Sequence, residues 1–168
     1  MSIVLHELSH TILALIPSVL IIKQFKLTKK KSFFILIIGL LGGFFIDLDH
    51  LIDYYFAFGL KFNPTYFFKG YQFLKSDKIF VFFHTYELIF FFLIASLIIK
   101  KKSLFVFLLL TVLAVSMSFH IFFDVFENEL PPQTYSLIYR QKNNFDIKKL
   151  VYPSHYRYHL EQKKKIKL

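Results

Sequence analysis

The chain has 168 residues, of which 55% are hydrophobic and 24 are phenylalanine, and its mean hydropathy is +0.50. A water-soluble domain of this length cannot bury so much apolar surface in one core, so the composition favours a membrane protein. The net charge of +10 does not indicate nucleic acid as a partner, because the lysines cluster at the ends of apolar blocks, as membrane anchors do. The absence of cysteine excludes disulfides and thiolate metal ligands.

Four apolar stretches follow one another along the chain, and each has the roughly 20 residues that a helix needs to cross a bilayer. They cover residues 3–22, 33–52, 79–99 and 104–126. Short lysine-rich segments follow the first and third stretches, and a longer mixed loop, residues 54–78, follows the second. The sequence predicts an all-α fold: an integral membrane four-helix bundle over residues 1–138, multi-pass in the cell (inner) membrane, with a basic C-terminal tail over residues 139–168.

The first stretch contains the segment HELSH, in which His6, Glu7 and His10 match H-E-x-x-H. In that helical zinc signature two histidines bind the metal and the glutamate acts as general base. One interpretation is therefore an intramembrane zinc protease. Such proteases also need a distant aspartate from an N-P-x-x-D-G-like stretch, and the segment NPTYFFKG of this chain has no aspartate.

Ionisable residues interrupt the other three stretches as well. They are Asp47, Asp49, His50 and Asp53 near the end of the second stretch, His84 and Glu87 near the start of the third, and His120 and Asp124 near the end of the fourth. An up-down-up-down path places these groups and HELSH at one end of the bundle and both lysine-rich turns at the other. Because ionisable groups in membrane segments are costly and usually mark a site, this convergence predicts a metal centre.

The residue types and spacings indicate which metals such a centre suits. Spacings of i, i+3 and i, i+4 place ligands on one helical face. Imidazoles mixed with carboxylates suit Zn, Mn or Fe, and several carboxylates indicate two or more ions. The predicted ligands are His6, His10, Asp47, Asp49, His50, His84, Glu87, His120 and Asp124. Two ions can activate water for attack on a phosphoester, with a carboxylate such as Asp49 or Glu7 as general base.

Two further histidines, His155 and His159, lie one helical turn apart in the tail segment YPSHYRYHL, with Arg157 between them. They can cover the metal site or contact a phosphate. The polarity of the segment favours a position on the surface instead, and neither histidine is predicted to bind the metal.

The order of the motifs resembles the membrane-bound, metal-dependent hydrolases of the LexA-binding, inner-membrane-associated (YdjM-like) family. The family pattern is an N-terminal His, then G-x-x-P-D-x-D-H, H-R-G-x-T-H-S and H-x-x-x-D with a Pro-containing stretch. This chain has GGFFIDLDH, FHTYE and SFHIFFDVFENELPPQTYSLIY, and the resemblance spans about residues 6–140. The family is distantly similar to zinc-dependent phospholipase C and P1 nuclease, which hydrolyse phosphodiesters at a three-zinc centre, so the resemblance implies phosphoester hydrolysis.

Position by position, the resemblance implies that the metal ligands are His6, Asp47, Asp49, His50, His84, His120 and Asp124. The chain departs from the family in two ways. Ile46 stands where the family has proline, and the H-R-G portion is missing, with Glu87 where the motif has no carboxylate. His10 or Glu87 can replace the lost ligand, and a lysine or Arg157 can replace the lost cation.

We therefore expect a membrane-embedded, metal-dependent hydrolase of a phosphoester, such as a phospholipid or another lipid-linked substrate. The zinc protease and a non-catalytic metal-binding membrane scaffold are the alternatives. A transporter is less favoured, because the second to fourth stretches carry few polar groups towards the lysine-rich end. The lysines of the two short turns favour the cytoplasmic side for that end and the extracytoplasmic side for the site, although the basic tail argues the opposite.

Overall fold

The computed structural model describes the backbone of residues 3–166 and the side chains of residues 8–166 except Phe45. In this part of the chain all regular structure is helical, which confirms the all-α prediction. Ten α-helices follow in the order α1 Ile3–Gln24, α2 Lys29–Gly43, α3 His50–Phe58, α4 Pro64–Phe68, α5 Tyr71–Ser76, α6 Tyr86–Ile99, α7 Leu104–Glu127, α8 Leu137–Lys142, α9 Ile147–Leu150 and α10 Pro153–Lys165. Short 3-10 helices cover Phe45–Asp49 and Pro132–Tyr135.

Helix α7 lies at the centre of the fold, where it packs against α1, α2 and α6. The lysine-rich turns lie at the same end of this helical bundle, since the ammonium of Lys31, in the first turn of α2, lies 5.5 Å from the ring centre of Phe105, in the first turn of α7. Ile35, Leu108 and Val112 form a buried cluster nearby. The remaining helices gather at the opposite end, where α3 packs on α5 and α5 on α10.

Small residues bring the backbones of α1, α2 and α7 close together. A Cβ atom added at Gly43 would lie 2.1 Å from the Cβ of Ala14, and one added at Gly42 would lie 2.8 Å from the carbonyl oxygen of Leu113. The hydroxyl of Ser116 on α7 donates a hydrogen bond to the carbonyl of Ala14 on α1, 2.7 Å away. The three helices therefore approach one another too closely for larger side chains at these positions.

Two of the predicted apolar stretches are not continuous helices, so their predicted boundaries are wrong. The second is divided into α2, the 3-10 helix Phe45–Asp49 and α3, with a bend of 47° between α2 and residues 46–58. In the third, residues 79–85 form a non-helical segment, and α6 begins only at Tyr86, where the side chain of Thr85 accepts a hydrogen bond from the backbone N–H of Leu88. We call residues 79–85 the site segment.

Among the described residues, only α7 is long and apolar enough to cross a membrane by itself. Helix α2 and residues 46–58 would provide a second crossing if the bent pair acts as one span. The described part of α1, Leu8–Gln24, and the 14-residue helix α6 are apolar but shorter. One long apolar helix is weak evidence for a membrane location, since buried helices of soluble proteins share these properties, and the multi-pass bundle stays a prediction.

The C-terminal residues pack onto the site segment. Ile79 and Val81 form a buried cluster with Ile147 and Leu150 of α9. The backbone N–H of Ile79 donates to the carbonyl of Phe145 over 3.0 Å, which ties the site segment to the start of α9. Residues of the predicted basic tail thus form helices that cover the polar end of the bundle.

Candidate metal centre

Imidazoles and carboxylates from four separate parts of the chain meet at the polar end of the bundle. They are His10 from α1, Asp47, Asp49 and His50 from the 3-10 helix and α3, His84 from the site segment, and His120 and Asp124 from α7. Three groups within this cluster have donor atoms close enough to hold a metal ion: His10 with His120 and Asp124, Asp47 with His84 and His120, and Asp49 with His50 and His84. Seven of the nine predicted ligands are therefore brought together.

Four donor atoms lie at the centre of the cluster, and the two imidazole nitrogens among them have separations from each other and from both carboxylate oxygens that suit a tetrahedral site. Nε2 of His84 lies 3.1 Å from Nε2 of His120, 3.1 Å from Oδ1 of Asp47 and 3.7 Å from Oδ2 of Asp124. Nε2 of His120 lies 3.5 Å from the same Asp47 oxygen and 3.4 Å from the same Asp124 oxygen. Zinc–nitrogen bonds of about 2.0–2.1 Å in a tetrahedron place two ligands about 3.3–3.4 Å apart, which these separations bracket.

Two residues extend the donor set outward from this centre. Nε2 of His10 lies 3.4 Å from the other oxygen of Asp124, Oδ1, and Nε2 of His50 lies 3.6 Å from Oδ1 of Asp47. The Oδ2 atom of Asp47 is buried and has no hydrogen-bond partner among the described residues. Asp47 and Asp124 thus each have an oxygen atom beyond the central four donors. A second ion could be held near His10 and Asp124 or near His50 and Asp47.

Asp49 fixes the orientation of the His84 ring. Its Oδ2 atom lies 3.0 Å from Nδ1 of His84 and also accepts the backbone N–H groups of Phe83 and His84, at 2.6 and 3.3 Å. The Nδ1 atom therefore carries the proton, and Nε2 presents its lone pair to the centre. Asp49 is fully buried. This environment does not fit the predicted role of Asp49 as general base, because the carboxylate is closed to water and engaged in holding a ligand.

Asp53, one helical turn after Asp49, binds the backbone of the first half of the site segment. Its two oxygens accept the backbone N–H groups of Phe80 and Val81, at 2.7 and 2.9 Å. Val81 has a φ of 31°, which is uncommon for a β-branched residue and needs such fixed partners. The sequence predicted a helix here, in which these N–H groups would bond to backbone carbonyls. In the structure the carboxylates of Asp49 and Asp53 accept them instead. The i, i+4 spacing of Asp49 and Asp53 was the available signal for this role.

Glu87, a predicted metal ligand, belongs to none of the candidate groups. Its carboxylate accepts hydrogen bonds from the hydroxyl of Ser136 at 2.5 Å and from the backbone N–H groups of Leu137 and Ile138 at 2.9 and 3.1 Å. The structure thus corrects the prediction: Glu87 caps the N-terminus of α8 instead of binding metal.

The remaining predicted residues have three different outcomes. The side chains of His6 and Glu7 lie outside the described residues, so their predicted roles are untested. His159 is buried, at 6% exposure, and its Nε2 atom lies 2.9 Å from Oδ1 of Asp77, so its predicted surface position is wrong. His155 is half-buried beside Glu129, with 3.8 Å between Nε2 and Oε2, and lines the cavity described next.

A cavity of about 470 Å³ opens beside the cluster. One part of its wall is polar and includes Asp47, His50, His84 and Asp124, while Ile79, Val81, Leu130, Ile147 and Val151 form an apolar part. Arg140 on α8 also lines the cavity. Sequence analysis missed Arg140, because it lies in the predicted tail and in no metal-binding motif, so no signal pointed to it.

The cluster carries an excess of negative charge around His84. A carboxylate oxygen of Asp49 lies 3.0 Å from Nδ1 of this imidazole, and one of Asp47 lies 3.1 Å from its Nε2. A positive charge at this position is therefore stabilised, and a divalent ion can supply it in place of a proton.

Comparison with protein-family models, with characterised proteins and with solved structures finds no match to this chain. The resemblance to the YdjM-like hydrolases therefore rests on the motifs alone and stays a prediction. What the geometry establishes is narrower: clusters of histidine and aspartate that can hold a metal ion.

Proposed function

We propose that the protein is a metal-dependent hydrolase of phosphoesters that works in a membrane. The observation that carries the proposal is the central set of donor atoms. Nε2 of His84 and Nε2 of His120 lie 3.1 Å apart, and each lies 3.1 to 3.7 Å from Oδ1 of Asp47 and from Oδ2 of Asp124. Two imidazoles and two carboxylates suit zinc, and also Mn or Fe, and the His10 and His50 flanks leave room for further ions.

The donor set fits a metal better than it fits a network of hydrogen bonds. Since Nδ1 of His84 is committed to Asp49, the facing Nε2 atoms of His84 and His120 need either a proton or a cation between them. All of these ligands except Asp47 are nearly inaccessible to solvent, and Asp47 has a side-chain exposure of 18%. Buried charges of this kind are paired or coordinate metals.

A divalent ion at this site would supply Lewis acidity, lowering the pKa of a water molecule and polarising a phosphoryl oxygen. The residues of the chain do the positioning. Asp49 orients His84, and α7 presents His120 and Asp124 on one face because they are one turn apart. His50 lies at the border of the cavity with a side-chain exposure of 31%, so its imidazole separates the buried donors from the open part of the cavity.

The surface of the bundle supports a membrane environment. Helix α6 exposes Phe90, Phe91, Ile94, Leu97 and Ile98, each at 58–70%. Helix α7 exposes Phe122 and Phe126 at 62% and 66%. Such contiguous exposed apolar residues are costly in water and favourable in lipid. The lysines of the two short turns favour a multi-pass protein of the inner membrane with the site on the extracytoplasmic side, and the basic tail favours the opposite orientation. A reporter fused to the C-terminus tests the orientation.

A phosphoester is the proposed substrate because the motifs resemble those of phosphoester hydrolases and because the cavity joins a metal-binding wall to an apolar wall. An ester that carries an apolar group, such as a phospholipid, matches both walls. The zinc-protease alternative depends on Glu7. If Glu7→Gln abolishes peptide hydrolysis while the metal is retained, the protease is favoured instead.

Elemental analysis and hydrolysis assays of the full chain in lipid nanodiscs test the proposal. We expect at least one equivalent of zinc, manganese or iron and hydrolysis of a phosphodiester or phospholipid. His120→Ala and Asp124→Asn should each lose metal and hydrolysis together. Glu129→Gln, a carboxylate-to-amide change at a side chain that is 78% exposed, is the matched control and should lose neither. A wild-type protein without stoichiometric metal would refute the proposal.

A further inference from the structure

Arg140 is a fully buried cation beside the metal centre. It lies on α8, and it is one of two arginines in the chain, the other being Arg157 on the exposed side of α10. An arginine guanidinium does not lose its proton at neutral pH in a protein, so Arg140 is a buried positive charge. A buried charge of this kind needs a partner.

The described residues satisfy only some of the hydrogen-bond donors of this guanidinium. Nη2 of Arg140 donates hydrogen bonds to the carbonyl oxygens of Val81 and His84, at 3.0 and 3.3 Å. The Nε atom is buried and has no hydrogen-bond partner among the described residues. Within that part of the chain no carboxylate is in salt-bridge contact with the guanidinium, and its bonded partners are neutral carbonyls. The positive charge is thus anchored in place without a direct counter-charge.

The anchoring also fixes where this charge lies relative to the candidate ligands. Arg140 is bonded to the backbone of His84, the residue whose Nε2 atom belongs to the central donor set. Both residues line the same cavity. An anionic group bound in the cavity would therefore be near both the candidate metal ligands and Arg140. The apolar part of the wall could contact an apolar substituent of that group.

We propose that Arg140 binds the phosphoryl group of the ligand in this cavity. A guanidinium presents several N–H donors in a fixed planar fork, which suits the oxygens of a phosphoryl group better than an ammonium does. The assignment rests on the proposed function for the nature of the anion.

Phosphate binding by the zinc-loaded full chain in nanodiscs tests this assignment. Inorganic phosphate and a short-chain phosphatidic acid are titrated by calorimetry into the wild type, Arg140→Gln, Arg140→Lys and the matched control Arg157→Gln, and the zinc content of each is measured. We expect the Arg140 variants to bind both probes about tenfold more weakly or worse, because a charge-assisted hydrogen bond is lost or misaligned. Arg157→Gln should bind like the wild type.

Several outcomes would overturn the assignment. They are a wild type that binds neither probe, an Arg140 variant that keeps zinc and full affinity, and loss of zinc in both Arg140 variants, which would make Arg140 a support of His84 only.

Tighter binding of phosphatidic acid than of phosphate identifies a lipid headgroup as the source of the anion, and equal binding identifies free phosphate. Either result supports the site if the Arg140 variants weaken the binding. Arg140-dependent binding without ester hydrolysis would refute the proposed function alone.

Discussion

The carboxylate of Asp49 bonds to His84 twice, accepting the N–H of the imidazole Nδ1 at 3.0 Å and the backbone N–H at 3.3 Å. One residue thereby sets both the position and the tautomer of a candidate metal ligand. The same carboxylate also accepts the N–H of Phe83, so the whole end of the site segment depends on it.

Asp49→Asn should therefore weaken metal binding while leaving the fold intact. The amide keeps the shape of the side chain but lacks the negative charge that makes His84 a strong donor. We expect the zinc affinity to fall about 10- to 100-fold, as it does when partners of ligand histidines are removed. Competition with a chelator of known affinity measures the change. Asp146→Asn is the control, since this residue caps α9 and asparagine caps equally well; equal affinities in both variants would contradict the role of Asp49.

Glu87→Ala should lower stability and leave metal binding unchanged. The carboxylate satisfies the Ser136 hydroxyl and two N–H groups at the start of α8, and losing a cap of this kind costs about 1 kcal/mol. Thermal unfolding and zinc content, measured on the same sample, separate the two effects. A loss of zinc at an unchanged melting temperature would restore Glu87 to the ligand set.

Gly43→Ala should force α1 and α2 apart. The new Cβ would lie 2.1 Å from the Cβ of Ala14, and because both atoms belong to short side chains near the helix axes, the backbones have to move. Overpacking of this kind costs about 1–3 kcal/mol. We expect a lower melting temperature and weaker zinc binding, since α1 carries His10. Leu41→Ala, at an exposed position on α2, is the control; a wild-type melting temperature for Gly43→Ala would show that the helices are not in close contact.

The attachment of α10 should weaken in acid. Burial raises the pKa of Asp77, but the hydrogen bonds and charges of Lys163 and His159 outweigh it and hold the pKa below 3.8. Since the folded-state pKa is the lower one, the stabilisation is complete above about 3.8 and is lost as the pH falls through the folded-state value. Asp77 is 47% exposed, so the effect is below about 1 kcal/mol.

Spin labels at Lys69 and Glu161 can report this attachment, because the chain has no cysteine that would compete for labelling. The distance distribution should broaden in the wild type when the pH falls below 3.8 and should already be broad at neutral pH in Asp77→Asn. Identical narrow distributions in both proteins at neutral pH would show that Asp77 does not hold α10.

The sequence was sufficient to predict the helical fold and the convergence of the ligands, because both follow from periodicity and from the alternation of apolar stretches with polar ends. His10, His84, His120 and the Asp47–His50 group meet as the up-down path requires. The breaks at Gly43 and before Tyr86 were not predictable in the same way, since an apolar stretch has the same composition whether its backbone bonds to itself or to a distant carboxylate.

The roles within the site depended on contacts that sequence spacing does not encode. In the predicted helix, Glu87 and His84 lie on the same face. The helix in the structure begins only at Tyr86, so His84 precedes it and the carboxylate of Glu87 contacts the start of α8. Arg140 and His159 lie in a segment rich in lysine and tyrosine, which predicts a solvated surface. Both are buried: Arg140 bonds to the carbonyls of Val81 and His84, and His159 lies against Asp77.

The central position of α7 has a consequence for biosynthesis. It is the last of the four bundle helices to leave the ribosome, and it carries His120, Asp124 and the Ser116 hydroxyl that bonds to α1 across 102 residues of sequence. A nascent chain that stops before α7 has Asp47 and His84 but lacks half of the central donor set. Under the proposed function, this centre can bind a metal only after α7 has been synthesised, so metal content would distinguish chains that contain α7 from chains that stop before it.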